Sequence, residues 1–284
     1  MRTPCLLAPL ASFTLLAAPA APGTVDMSLT SPDGFTLKGT LTLPAAKGKV
    51  PVVILAHQFH SDRAGWAPLL ERLQARGIGT LALDLRGHGE STAKGEATVK
   101  VTEDFGASAK AVGFDQIPAD LAQAAAWLRK QPGVDGRRIG LAGASVGAFS
   151  VLLAAPAVKP VAVLSLSPAG NPAFGADAMG KLKQAVLQAK ASCLVLASTG
   201  DKGAFENASA LKDLPGVALN LKEGEEHGFA YFKDRADLMA VFFGEYLGYH
   251  RTGETAVAVK KAPAPANVIN DKTLAEKKAA ETTK

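Results

Sequence analysis

Cysteine is nearly missing from this chain: 284 residues carry only Cys5 and Cys193. Cys5 falls in a stretch read below as a removable leader, so no intramolecular disulfide is expected, and a domain of this length is held by its core instead. No C-x-x-C pair, H-E-x-x-H or G-x-x-x-x-G-K-[ST] occurs, so metal ions and nucleotide cofactors have no support and none is expected. Aromatics are only 6% of the residues, and no basic stripe is interleaved with them. That argues against a nucleic-acid partner. The net charge of +5 owes much to Lys260, Lys261, Lys272, Lys277, Lys278 and Lys284 near the C-terminus, and it reads as solubility. Long apolar runs are lacking too. Cys5 to Ala18 is shorter than the ~20 residues of a membrane span and is broken by proline, so no stable membrane insertion is expected.

The same N-terminal stretch has the layout of a secretory leader over residues 1–20. Met1-Arg2 supplies a short positive start, Cys5 to Ala18 the apolar region, and Ala18-Pro19-Ala20 a small-residue cleavage site. It predicts a secreted or periplasmic protein. After about residue 252 the chain is rich in Ala, Lys, Pro and Thr with few large apolar side chains, and that composition predicts a disordered tail over 252–284. The domain proper is expected over 25–250.

What the chain does contain is organised around Gly143-Ala144-Ser145-Val146-Gly147, between an apolar run and a helix-compatible run. This is the G-x-S-x-G pattern of a strand, a sharp turn and a helix with serine at the apex. Such a serine sits in strained backbone, and its neighbours two before and two after must be nearly bare for strand and helix to pass. The helix N-terminus adds partial positive charge and free N–H groups that favour an oxyanion. A plain Gly/Ser turn would share the pentapeptide, so its context has to decide.

That context is strand and helix in alternation. Residues 25–30 and 35–43 alternate around Ser31-Pro32-Asp33-Gly34 and predict a hairpin. Residues 50–56, 78–83, 161–166, 193–197 and 217–221 are short apolar runs of the kind found in strands buried on both faces. Helices are predicted over 66–76, 118–130, 205–214 and 235–249, from apolar spacing and from Pro and Gly at the ends. Trp66 and Trp127 fall on such helices and are expected to pack. Residues 92–116 predict a long loop, and 171–190 only a short helical excursion. Alternation of this kind implies a mostly parallel sheet with helices on both sides.

Several motifs follow in order: His57-x-Phe59 after the first parallel strand, Asp84-x-Arg86-Gly87-His88-Gly89-x-Ser91, the Ser145 pentapeptide, Gly200-Asp201 and His227-Gly228. In this the chain resembles the α/β-hydrolases, in particular the lid-poor serine esterases related to dienelactone hydrolase, over roughly residues 25 to 250. The resemblance implies an α/β-hydrolase fold: a mostly parallel central sheet, helices on both faces and an N-terminal antiparallel hairpin. It also implies a triad in the order Ser, Asp or Glu, His, which Ser145, Asp201 and His227 fit. A serine hydroxyl is a poor nucleophile until an imidazole takes its proton, and a carboxylate fixes the tautomer of that imidazole.

Other acids and imidazoles compete for these roles. Asp84 ends a strand but belongs to a turn that is structural in the family, and Asp177 lies in an irregular stretch. His57 suits a turn-supporting hydrogen bond, His88 belongs to the Arg86–Gly89 turn, and His250 follows the last helix. The oxyanion hole implied by the resemblance takes the N–H of Val146 and that of Phe59, with Gln58 as the alternative. Many relatives carry His-Gly where this chain has His57-Gln58, and the Gln58 amide is a candidate for substrate contact. His60 is expected to line the cleft. The activity implied is hydrolysis of a small carboxylic ester through an acyl-enzyme. The alternatives are a peptidase or thioesterase on the same fold, or a hydrolase-like protein that binds without turnover.

Overall fold

The protein is described here from a computed structural model covering residues 23–248. The stretches read from the sequence as a leader, 1–20, and a tail, 252–284, lie outside the described residues.

The chain opens with the hairpin β1 (Gly23–Thr30) and β2 (Thr36–Leu43). Its turn is pinned by Ser31, whose Oγ accepts the Phe35 N–H and donates to Asp33. Next come β3 (Val50–Ala56), a 3-10 turn running into α1 (Ala67–Gln74), and β4 (Gly79–Asp84). A two-residue ladder, β5 (Ala93–Lys94) with β6 (Ala97–Thr98), precedes α2 (Phe105–Val112) and α3 (Ile117–Leu128). The second half alternates without a break: β7 (Val134–Ala144), α4 (Val146–Val158), β8 (Ala162–Leu166), α5 (Ala178–Ala189), β9 (Ser192–Ser198), α6 (Lys202–Ser209), β10 (Val217–Lys222) and α7 (Phe232–Leu247).

Eight strands form one sheet in the order β1-β2-β4-β3-β7-β8-β9-β10. β1 pairs with β2, and β2 with β4, antiparallel; every other pairing is parallel. The parallel strands are covered on both sides, and β3 shows how its sequence meets that demand. Val52, Ile54 and Ala56 join the core on the face of α3, α4 and α5, while Val53 and Leu55 join the core on the face of α1 and α7. A period of two with both faces buried requires the unbroken apolar run seen in the sequence. The β3–β7 register shifts beside Pro51, which has no N–H for the ladder.

Two expectations need correction. Residues 92–116 are not one loop, since they hold the β5–β6 ladder and α2. The α2 sequence contains Gly106 and Ser108 and has little helical signal of its own. It is fixed by Asp104, whose side chain accepts the Ala107 N–H, and by Gly113 (φ 77) closing its C-terminus. Residues 171–190 hold a full twelve-residue helix, α5, which buries Leu182, Ala185 and Val186.

Candidate active site

β7 ends at Ala144, and Ser145 takes φ 55, ψ −116, a backbone region costly for a side-chain-bearing residue. It is held there by its N–H, which donates to Leu166 O on β8 at 2.9 Å, and by its carbonyl, which accepts the Phe149 N–H. The flanking glycines meet a steric demand. A Cβ on Gly143 would overlap the Gly147 carbonyl, and one on Gly147 would overlap the carbonyl oxygens of Ala56 and His57. Strand and helix pass each other only because both positions are bare. Val146 is the first residue of α4, so its N–H has no intrahelical acceptor.

The other components also follow strand ends. Asp201 comes after β9 and His227 after β10, and His227 Nδ1 lies 2.7 Å from Asp201 Oδ2. That contact gives Nδ1 the proton and leaves Nε2 as the free ring nitrogen. Ser167, at φ 52 and fully buried, accepts the Gly228 N–H at 3.1 Å. Beneath this loop the Tyr231 hydroxyl meets Ser198 at 2.8 Å, and burial pushes the phenol pKa up.

Ser145 and His227 line one cleft of about 390 Å³ together with Gln58, Phe59, Phe105, Ala169, Gly170 and Pro172. Phe59 and Phe105 meet edge to face there, 5.2 Å between centroids. The cleft thus gathers Ser145, His227, Gln58 and Phe59 from the sequence expectations. It does not gather His60. With φ 57 the chain turns at that residue, and its ring packs on Phe59 while Nε2 stands 3.7 Å from Glu103. The positive φ in this turn falls on His60 and not on Gln58, so the turn needs no glycine at position 58.

Of the remaining candidates, Asp84, His57 and His88 are held in structural contacts, while Asp177 precedes α5 and does not line the cleft. Asp84 accepts the backbone N–H groups of Arg63 and Glu90 and pairs with the Arg63 guanidinium at 2.7 Å. His57 is fully buried. Its Nε2 accepts the Leu85 N–H at 2.9 Å and its Nδ1 donates to Gln58 O at 2.7 Å. Burial pulls its pKa down to about 3, so it is a neutral turn support. His88 is buried against the rings of His57 and Phe59, and burial lowers its pKa as well. His250 lies outside the described residues. Sequence reasoning missed Phe105, Ala169, Gly170 and Pro172. The last three follow β8, and a position after a parallel strand is a signal that could have found them.

Fold and site together define an α/β-hydrolase. The chain belongs to the family described as Hydrolase_4, serine aminopeptidase, S33, which matches residues 48–213. That match includes Ser145 and Asp201 and stops before His227. The chain is 28% identical over 177 residues to the thiohydrolase aneE of Aspergillus aculeatus, covering 60% of this chain and 49% of that protein. It therefore spans about half the length of that relative. Dienelactone hydrolase from Anabaena variabilis superposes with a TM-score of 0.59 at 25% identity, over 79% of this chain and 98% of that one. An esterase of Pyrococcus furiosus gives a TM-score of 0.59 at 19% identity, over 80% and 92%; at that identity the likeness is one of fold.

Proposed function

We propose that this hydrolase cleaves small carboxylic esters through an acyl-enzyme formed on Ser145. His227, steadied by Asp201, takes the Ser145 proton as Oγ attacks the acyl carbonyl. The tetrahedral oxyanion is stabilised by the N–H groups of Val146 and Phe59. Collapse expels the alcohol, protonated by His227, and water repeats the sequence to release the acid. Among the described residues Ser145 Oγ makes no hydrogen bond to His227, so the reading requires the two to close to hydrogen-bond distance when substrate binds, as such contacts tighten in the complex.

The observation that carries the reading is the Asp201–His227 hydrogen bond at the cleft where the strained Ser145 turn also opens. The lining favours an ester over the peptidase reading suggested by the family's description. An aminopeptidase must hold a substrate ammonium, and among the described lining residues there is no carboxylate. A thioester remains the second reading, favoured by the name of the Aspergillus relative.

A fluorophosphonate probe should label the wild-type protein at Ser145 and leave Ser145→Ala unlabelled. Turnover of p-nitrophenyl esters should fall in that variant by about 10⁶-fold, with the melting temperature little changed. Matched oxygen esters, thioesters and aminoacyl anilides rank the three substrate classes. Near-native turnover by Ser145→Ala would refute the assignment.

A further inference from the structure

The turn after β3 and the loop after β10 are far apart in sequence, yet one side chain joins them. Gln58 Oε1 accepts the Phe229 N–H at 2.8 Å, across a separation of 171 residues. A backbone N–H can only donate, so the atom facing it is the amide oxygen and the orientation of the amide is fixed. The fit is reciprocal. Gly228 lies at φ 53, and a Cβ there would overlap Gln58 Oε1. The Gln58 backbone is in turn held by the His57 ring through its carbonyl.

We infer that Gln58 is a positioning residue: it locks the loop that presents His227 to the turn that presents the Phe59 N–H. Proton acceptor and oxyanion donor then share one rigid frame. The other side-chain hydrogen bonds on the loop come from the far side of the elbow strand, Ser167 after β8 acting on Gly228 and Asp201 after β9 acting on His227, while on the β3 side the Phe229 ring packs on Trp66. Gln58 holds the loop from β3, on the opposite side of β7 in the sheet order. A glycine at position 58 would leave that side with the Phe229–Trp66 ring contact but no hydrogen bond to fix the Phe229 backbone. The inference rests on the hydrolase reading above, and its test separates the two.

The test compares wild type, Gln58→Met and Gln58→Glu by hydrogen exchange at the Phe229 amide and by steady-state kinetics on the best ester. Methionine keeps the length and apolar contact of the side chain but offers no comparable acceptor, while glutamate keeps an oxygen for the Phe229 N–H. The Met variant should melt like wild type, lose protection at Phe229 and lose about 100-fold in kcat with KM little changed, as displacement of a catalytic group does. The Glu variant should regain the protection. A Met variant that keeps either the Phe229 protection or full kcat overturns the inference. If wild type is never labelled by fluorophosphonate while Phe229 protection still depends on residue 58, the clamp stands and the hydrolase reading falls.

Discussion

A methyl group added at position 147 has no space to occupy. Its nearest neighbours would be the carbonyl oxygens of Ala56 and His57, backbone atoms of a central strand that cannot step aside as a flexible side chain can. Gly147→Ala should therefore cost about 3 kcal/mol, the upper range for overpacking a close-packed interior, read as a lowered urea midpoint. Gly203 supplies the control. It lies in α6 with nothing within 4 Å of an added Cβ, so Gly203→Ala should leave the midpoint unchanged or raise it by up to about 1 kcal/mol. If both variants behaved alike, the steric account of the elbow would be wrong. The Ser145 turn was legible because its determinants are local: a strand, two bare positions and a helix start fall within a few residues. The Gln58 clamp was not, since nothing near position 58 announces a backbone partner at Phe229. The sequence suggested a substrate contact for that amide, and the structure turns its oxygen to the neighbouring loop.

Elements are joined by a second polar centre, which explains the Asp84–Ser91 turn. Arg86 is fully buried and reaches two ways, to Asp120 on α3 at 2.7 and 2.8 Å and to Asp33 in the β1–β2 turn at 2.8 and 3.1 Å. Thus the hairpin, the end of β4 and α3 close on one guanidinium. Asp120 is buried and Asp33 partly exposed, so the Asp120 arm is the less screened of the two. Arg86→Met should leave the Asp120 carboxylate without its partner and cost about 3–5 kcal/mol in a urea melt at neutral pH. A loss under about 1 kcal/mol would show that the three elements are held by apolar packing alone. The elements the sequence made legible are those whose signal is local, such as the unbroken apolar runs of β3 and β9 and the helical spacing of α3. α2 escaped it because its face is mostly Ala, Gly, Ser and Lys, and only its caps at Asp104 and Gly113 mark it. α5 does carry helical spacing, at Ala178, Leu182, Ala185 and Val186, behind an irregular stretch that hid where it starts. Phe105, which closes one wall of the cleft, was hidden with α2.

At the scale of the whole molecule, the site side chains stand on loops at the carboxyl ends of parallel strands, and neutral imidazoles lie buried beneath them. That arrangement makes global stability depend on acid. His57 changes from an ordinary value of 6.5 to about 3 on folding because burial disfavours its cation. Above pH 6.5 it is neutral in both states and contributes no slope. Between 6.5 and about 3 the unfolded chain binds a proton that the native state refuses, so stability falls as pH falls, by up to about 1.4 kcal/mol per unit. His88, also lowered by burial, acts in the same direction. Asp33 adds to it later. Its hydrogen bonds from Arg86 lower its pKa to about 2, so its stabilisation is present above 3.8 and lost as pH falls through about 2. Asp120 opposes them, because burial raises its pKa and protonation relieves a desolvated anion. Urea midpoints should therefore decline from pH 7.5 to pH 5, before any carboxylate of ordinary pKa has titrated. His57→Gln should start from a lower midpoint at pH 7.5 and decline less steeply, since it removes the largest of these buried bases along with its hydrogen bonds. A His57→Gln midpoint that declines as steeply as that of wild type would mean His57 accepts a proton in the native state. Its Nε2 could do so only by giving up the Leu85 N–H it now accepts, and the turn that carries Gln58 and Phe59 would come loose with it.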